Sequence, residues 1–506
     1  MSDSRPVNST AVLDRPPAAP SVSTPLTVSA EPLGQEAPRA AGIGADFDVT
    51  VIGAGPGGYV AAIRAAQLGM RVAVVEKHRL GGTCLNTGCI PTKAMLASVE
   101  ALNTARKGRE FGFTTGDVQP DYPAMVKRRD RIVEQLHGGV GMLLKKNGIE
   151  VIRGTAEFEG SHALRVAGDA GERRVTSGSV IIATGSRCSR PPIPGADLEG
   201  VLDSDQLLKL GSVPGRLAII GAGPVGLEWG DIFGELGSRI TVLEMADRVL
   251  PPADREMSAE LGKCLQKKGF DILTGVAVEA IERVGADLVI RYRRGGEAPA
   301  TVNADVVLVA AGRKPVSDGL GLERIGVRLE RGLIPVNDQM KTSVAGLYAV
   351  GDVTPGLPLA HTASAGGEVA AETIGGRDRH FNQASIPSCV YTSPEVAWVG
   401  LTEEQARADH EDVRVGRFPF RNLGRAQASG HRDGLVKVVA DGRYGEILGV
   451  HMIGAHVTDL ISEAVLAISM EATVEEIFHS VHAHPTLPEA LHEATLDAWN
   501  RAIHKG

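Results

Sequence analysis

Two stretches of this chain share one design. An apolar strand predicted over 47–52 (FDVTVI) runs into Gly53-Ala54-Gly55-Pro56-Gly57-Gly58, then an alanine-rich helix over 59–68 and a second strand over 71–75 that ends at Glu76. A strand over 216–220 runs into Gly221-Ala222-Gly223-Pro224-Val225-Gly226, then a helix over 227–236 and a strand over 240–243 closed by Glu244. The first glycine and the closing acid are equally far apart in both. In this context G-x-G-x-x-G is a dinucleotide cradle. The bare glycines let backbone approach a pyrophosphate at a helix N-terminus, and the acid accepts from ribose hydroxyls. The same pattern twice constrains the chain to an α/β architecture with two dinucleotide sites.

Just after the first unit comes LGGTCLNTGCIPTK (80–93), with Cys84 and Cys89 in a loop opened by Gly81 and Gly82, and a helical run over 94–102. Two thiols this close can bridge. The unpaired N–H groups at the start of the next helix favour a thiolate. The other three cysteines, Cys188, Cys264 and Cys389, are scattered and read as structural. One close pair in a cysteine-poor chain points to catalysis in a reducing, cytoplasmic setting rather than to a secreted scaffold. The string resembles the active-site segment of the flavin disulfide reductases, and CLNTGCIP is most similar to the dihydrolipoyl dehydrogenase family. Thr92 stands where that family usually has serine, and both carry a hydroxyl.

The resemblance spans about residues 46–506 and implies two Rossmann-like domains, one for FAD and one for NAD, plus a C-terminal α+β dimerisation domain. It places FAD on the unit that carries the thiols. Gly53, Gly55, Gly58 and Glu76 would hold it, with Gly82, Thr83 and Lys93 of the redox segment. Gly154 (EVIRGTAEF, a strand over 150–158), Thr184-Gly185-Ser186 (VIIATGS, a strand over 180–186), Asp352 of TSVAGLYAVGD (342–352) and Pro358-Leu359-Ala360-His361 would join them. NAD would take Gly221, Gly223, Gly226, Glu228, Glu244 and Gly312. In the family the lysine and glutamate matching Lys93 and Glu228 pair near the flavin. Glu244 would repel a 2′-phosphate, which favours NAD over NADP, although Arg239 and Arg248 lie nearby in sequence.

The C-terminal part shows strands over 435–440 and 447–453, helices over 459–470 and 474–478, then HAHPTLPE (482–489). An imidazole titrates near neutrality and can take a thiol proton, and a carboxylate can orient it. By resemblance the base is His484, oriented by Glu489, and it serves the disulfide of a partner subunit, so a homodimer is implied. The implied reaction is reoxidation of dihydrolipoyl groups by NAD⁺, as the shared E3 component of 2-oxo acid dehydrogenase or glycine cleavage complexes, with lipoyl domains as partners. Other readings remain beside it. These are another NAD(P)H-dependent disulfide or metal reductase, a diaphorase, or an inactive assembly subunit.

With 506 residues the chain is long for one domain. Expected boundaries are a disordered Pro/Ala-rich tail over 1–45, FAD-binding parts over 46–190 and 316–384, an NAD-binding part over 191–315 and an interface domain over 385–506. A net charge of −8 offers no basic field for nucleic acid, and no apolar run is long enough to span a membrane. No cluster of residues suggests a metal site.

Overall fold

The structure is a computed structural model that describes residues 44–169 and 171–505. The tail expected over 1–45 lies outside the described residues, apart from its last two.

The first glycine turn joins β1 (Phe47–Ile52) to α1 (Pro56–Gln67), and β2 (Val72–Glu76) follows. The thiol segment forms α2 (Gly82–Asn86) and the first turn of α3 (Cys89–Arg106); α4 (Tyr122–Lys146) packs beside them. Next come β3 (Glu150–Arg153), β4 (Thr155–Gly160), β5 (Ala163–Gly168) and β6 (Gly171–Ile182). Strands β3, β2, β1 and β6 pair in parallel in that order. The apolar run of β1 is buried on both faces, as a central parallel strand requires. Strand β6 is long enough to serve twice. Its second half pairs with β1, and its first half pairs antiparallel with β5.

A single strand was expected over 150–158. Instead the chain breaks at Gly154, where φ is +153° and an added Cβ would lie 2.6 Å from the Ala167 carbonyl oxygen. The thiol segment likewise differs from its expected loop. Cys84 lies within a helical turn, and the following helix starts at Cys89 itself, five residues earlier than its apolar pattern suggests.

Short strands β7 (Ser186–Cys188) and β8 (Val201–Leu202) and α5 (Ser204–Leu207) lead to the second unit: β9 (Arg216–Ile220), α6 (Pro224–Glu235) and β10 (Arg239–Leu243). Helix α7 (Arg255–Lys267) and β11 (Asp271–Leu273) follow. An antiparallel trio comes next, β12 (Val276–Val284), β13 (Asp287–Arg294) and β14 (Ala300–Ala304), then β15 (Val306–Val309) and β16 (Arg313–Pro315). The parallel sheet runs β11-β10-β9-β15-β8. Trp229 and Phe233 of α6 share a core with Met95, Val99 and Leu102 of α3, so the thiol helix is packed against the second dinucleotide helix. The chain then returns through β17 (Leu347–Ala349), which pairs with β6, and α8 (Ala360–Ile374). Helix α8 lies so close to α1 that a Cβ on Gly367 would come within 2.5 Å of the Gly57 carbonyl oxygen.

The last part holds β18 (Ser388–Val390), β19 (Glu395–Gly400), α9 (Glu403–Asp409), β20 (Val413–Pro419), α10 (Gly424–Ser429), β21 (Leu435–Asp441) and β22 (Ile447–Gly454). Helices α11 (Val457–Ser469), α12 (Val474–His479) and α13 (Glu489–Asp497) complete it. Its sheet is antiparallel throughout, in the order β18-β19-β22-β21-β20.

A buried charge cluster ties this sheet to the second unit. Lys437 of β21, 3% exposed, donates to Asp254 at 2.9 Å and lies 3.1 Å from Glu256 and 2.9 Å from Glu403. Arg417 of β20 bonds Glu256 and Glu403 in turn. Asp254 also caps α7 by accepting from the Glu256 amide. Burial works to raise the Asp254 carboxyl, but the Lys437 bond and the field of His451 outweigh it and hold the acid below the ordinary carboxylate range.

The cluster therefore contributes stability above the ordinary carboxylate pKa, and that contribution is lost as pH falls through the lowered value. Lys437→Met leaves Asp254 buried without its cation and should cost about 3–5 kcal/mol. A urea titration at neutral pH, with its midpoint compared to the parent, checks this.

Candidate active site

The thiol pair is seated on the first glycine turn by bare backbone. The Gly81 amide donates to the Ala54 carbonyl at 2.7 Å, and a Cβ on Gly82 would lie 2.6 Å from the Gly55 Cα. Gly81 (φ +91°) and Gly82 (φ +59°) both sit in the left-handed region that favours glycine. Asn86 ties the turn by donating to the Leu80 and Gly82 carbonyls, each at 2.9 Å. The Thr92 hydroxyl donates to the Gly88 carbonyl at 2.7 Å.

Both cysteines are unbridged and half-buried. The hydrogen bond that Cys84 gives to Cys89 makes them unequal. Cys89 is brought down to about 7, first by that bond and then by the Lys93 ammonium and its own amide at the start of α3, against burial and Glu228. Cys84 is pushed up, by the same bond and by burial. One sulfur is thus set to be a thiolate and the other to hold its proton.

Lys93 Nζ donates to Glu228 Oε2 at 2.7 Å and sits 4.3 Å from the centre of the Tyr391 ring. The other Glu228 oxygen accepts from the Tyr391 amide at 3.0 Å. Glu228 is buried, so the pair is a fixed charge-neutral bridge from the thiol helix to α6. Nothing in its sequence setting marks Tyr391, which is brought here by tertiary packing alone.

The two glycine turns are near copies. Glu76 accepts from the amides of Ala54 and His78, both at 2.7 Å; Glu244 accepts from Ala222 at 2.6 Å and Ala246 at 2.7 Å. A Cβ on Gly53 would lie 2.4 Å from the Ala183 oxygen, and one on Gly221 would lie 2.6 Å from Ala310. Gly58 and Gly226 meet the carbonyls of Gly53 and Gly221 at 1.9 and 2.3 Å by the same measure. No side chain caps α1 at Gly55 or α6 at Gly223, and neither first turn carries an acid. These open N-termini, each with a backbone-oriented carboxylate beside it, fit the pyrophosphate and ribose of a dinucleotide.

Around the first turn, the Gly154 amide donates to the Glu76 carbonyl and the Thr184 hydroxyl to the Val316 carbonyl. Gly185 is left-handed (φ +69°). The Ser186 hydroxyl donates to Asp352 at 2.5 Å and accepts from Arg313 Nε at 2.6 Å. Arg313, one residue past Gly312, was not among the expected site residues. Gly312 is left-handed (φ +95°), with open space where a Cβ would be. Thr83 stands in α2 beside Cys84. Pro358 is exposed, Leu359 stands at the N-cap position of α8 without a side-chain bond, and Ala360 and His361 start the helix, with His361 Nε2 at 2.7 Å from the Pro387 carbonyl.

His484 stands in the segment between α12 and α13, and Glu489 opens α13. His484 Nδ1 is 2.8 Å from Glu489 Oε1, and the second carboxylate oxygen accepts from the Thr486 amide at 2.7 Å. Burial raises Glu489, but these bonds outweigh it and keep the acid ionised below its ordinary value. An ionised carboxylate only accepts, so Nδ1 carries the proton and Nε2 is left as a base. The His484 side chain is 77% exposed, and among the described residues no hydrogen bond links it to Cys84 or Cys89.

Comparison with known proteins gives a consistent picture. The model of the pyridine nucleotide-disulphide oxidoreductases matches residues 47–367, and that of their dimerisation domain matches 386–495. A dihydrolipoyl dehydrogenase of Bacillus subtilis is 43% identical over 91% of this chain and 99% of its own length. That of Thermus scotoductus is 44% identical over 90% and 98%. Among solved structures, LpdA of Mycobacterium tuberculosis superposes with a TM-score of 0.82 at 28% identity, covering 88% of this chain and 98% of its own. The HOCl-induced flavoprotein disulfide reductase RclA of Escherichia coli gives 0.79 at 29%, covering 89% and 98%.

The unequal thiols can be tested directly. Cys84→Ala removes the donor that most lowers Cys89, so Cys89 should titrate well above 7. Ultraviolet thiolate absorbance of the reduced protein against pH checks this; a midpoint unchanged from the parent's lower thiol contradicts it.

Proposed function

The chain belongs to the pyridine nucleotide-disulphide oxidoreductase family, and from that membership we propose that it works as a dihydrolipoyl dehydrogenase. It reoxidises protein-bound dihydrolipoyl groups with NAD⁺. The observation that carries this reading is the Cys84–Cys89 pair seated by bare backbone on the first of two glycine turns, with a His484–Glu489 pair presented on an exposed segment of the same chain.

In the oxidised enzyme Cys84 and Cys89 form a disulfide. His484 Nε2 takes the proton from one dihydrolipoyl thiol, and Glu489 stabilises the resulting imidazolium through Nδ1. The substrate thiolate attacks Cys84, the Cys84–Cys89 bond breaks, and Cys89 leaves as a thiolate. Its lower pKa makes Cys89 the better leaving group. The second substrate thiol then attacks the mixed disulfide, releasing the lipoyl ring and leaving Cys84 as the thiol. Bound FAD and NAD⁺ supply the two-electron acceptor chemistry that returns the dithiol to the disulfide. Glu228 holds the Lys93 ammonium in place on the helix that Cys89 begins, and Gly53, Gly55, Gly58, Glu76, Ser186 and Asp352 would hold the flavin nucleotide. Gly221, Gly223, Gly226, Glu244 and Gly312 would hold NAD.

The exposed His484, its Nε2 without a hydrogen-bond partner among the described residues, supports a base delivered to the thiols of a second subunit in a homodimer. No helix among the described residues is long and apolar enough to cross a membrane. Lipoyl domains of a 2-oxo acid dehydrogenase or glycine cleavage complex are the proposed partners, in the reducing cytoplasm.

In the purified flavoprotein, Cys89→Ser should abolish NAD⁺ reduction by dihydrolipoamide while flavin absorbance is retained. His484→Gln should lower kcat/KM for dihydrolipoamide by about 10²–10⁴-fold. Turnover surviving Cys89→Ser, or a kcat/KM in His484→Gln equal to the parent's, would refute the role assigned to that residue. Glu244→Ala should narrow the preference for NAD⁺ over NADP⁺ by about tenfold, read from the ratio of kcat/KM values.

A further inference from the structure

The chain passes from the first glycine unit to the second and back, and the two crossings pair as a ribbon. Strand β7 leads out and β16 leads back, antiparallel, with Arg313 opposite Cys188 and Pro315 opposite Ser186. Arg313 reaches along this ribbon to Ser186 with two N–H groups. Nε donates to the Ser186 hydroxyl at 2.6 Å, and Nη2 donates to the Ser186 carbonyl at 2.9 Å. The third nitrogen, Nη1, lies 3.8 Å from Cys188 Sγ. Ser186 in turn donates to Asp352 Oδ2 at 2.5 Å. The guanidinium itself stays 3.8 Å from that oxygen, too far for a direct bond, so Arg313 acts on Asp352 through Ser186. Among the described residues no hydrogen bond reaches the other carboxylate oxygen, Oδ1.

We propose that Arg313 is a positioning residue for the flavin nucleotide: by holding the Ser186 hydroxyl onto Asp352 Oδ2, it fixes the Asp352 carboxylate and leaves Oδ1 as the acceptor for a hydroxyl of the flavin's sugar-alcohol chain. The inference rests on the reading of the first glycine turn as the FAD site. The relay runs in one direction only. A guanidinium has donors and no acceptor, so the Ser186 oxygen must accept from it, and the hydroxyl proton is left for the carboxylate. A serine hydroxyl without such a partner is a free rotor. The planar fork of Arg313 removes that freedom by engaging the side chain and the main chain of Ser186 together, which a single ammonium would not do. A carboxylate already ordered before the ligand arrives saves the entropy of ordering it on binding. The backbone serves the same end, because Asp352 follows Gly351, whose φ of +75° sets the start of the turn. Three separate segments thus converge on one acceptor, and only the last of them touches the ligand.

The test uses the full-length chain, stripped of flavin and titrated with FAD or with an FAD analogue whose chain between ring and phosphate carries no hydroxyls. Binding is read from flavin fluorescence. The parent should prefer FAD to the analogue. Arg313→Met should weaken FAD about tenfold, the scale of one hydrogen bond to a charged group, and leave the analogue within about twofold. Ser186→Ala should give the same selective loss, and the double variant should lose no more than the larger single one, because both changes break one relay. Equal weakening of FAD and analogue in Arg313→Met would overturn the proposal, since that is ribbon packing alone. So would FAD binding equal to the parent's, or losses that multiply in the double variant. If Arg313→Met takes up neither flavin, Ser186→Ala decides, and a parent-like preference for FAD there overturns the proposal. Asp352→Ala separates the two levels. If it keeps the preference for FAD over the analogue, the FAD reading of this site fails. If it loses that preference while Arg313→Met and Ser186→Ala keep it, only the present inference fails.

Discussion

The approach of Gly82 to Gly55, backbone on backbone, is the contact on which the chemistry depends. It leaves no room for a side chain, and it brings the first turn of the thiol segment onto the first of the two glycine turns. The Gly81 amide bond to Ala54 locks the same junction. From there the order of residues does the rest. Cys84 sits in the short helix that starts at Gly82, and Cys89 begins α3, where unpaired amides favour negative charge. The difference between the two sulfurs comes first from their interaction with each other, and the helix start at Cys89 adds to it. Lys93, one turn along α3, adds to it from the same helix.

That local arrangement is held open toward α6 by a pair of opposite charges. Lys93 and Glu228 would each be costly to bury alone, and together with the Tyr391 amide every strong acceptor of Glu228 is engaged. The same device recurs at larger scale in the Lys437 cluster, where three carboxylates and two cations meet between α7, α9 and the last sheet. The C-terminal sheet is thus keyed to the second dinucleotide unit by charge as well as by apolar packing. The histidine segment that grows out of that sheet inherits a defined position.

Much of this was legible in the residue order. Both strand-turn-helix-strand units, the thiol pair and the His484–Glu489 spacing are local patterns. Local patterns survive folding because glycine turns and helix starts impose their own geometry. What stayed hidden is long-range. Glu463 reaches His482 from a helix that ends well before it, Arg313 meets Ser186 and Asp352 from three separate segments, and Tyr391 enters from the C-terminal part. No periodicity encodes such meetings. The strand expected over 150–158 failed for a related reason. Its apolar pattern runs on through Gly154, but the close passage of Ala167 bends the backbone there. The helix start at Cys89 was missed because Pro91 and Thr92 look like an exit from a loop, whereas proline fits a first helical turn without loss of a bond.

The second glycine unit shows what the first has gained. After Glu76 the chain comes back to the Ala54 carbonyl through the Gly81 amide; after Glu244 it comes back to the Ala222 carbonyl through the Leu250 amide, at 2.9 Å. Both returning residues have positive φ, +91° at Gly81 and +48° at Leu250. The return path is therefore a property of the unit, shared by both copies. In the first copy it continues as glycine, Gly82, and the chain can press a reactive helix onto the turn. In the second it continues through Pro251 and Pro252 into the Asp254-capped α7, which is anchored to the C-terminal sheet by Lys437. One scaffold thus yields a turn that carries thiols and a turn that leaves its open face to a ligand. The difference is made by a few residues after the same backbone bond.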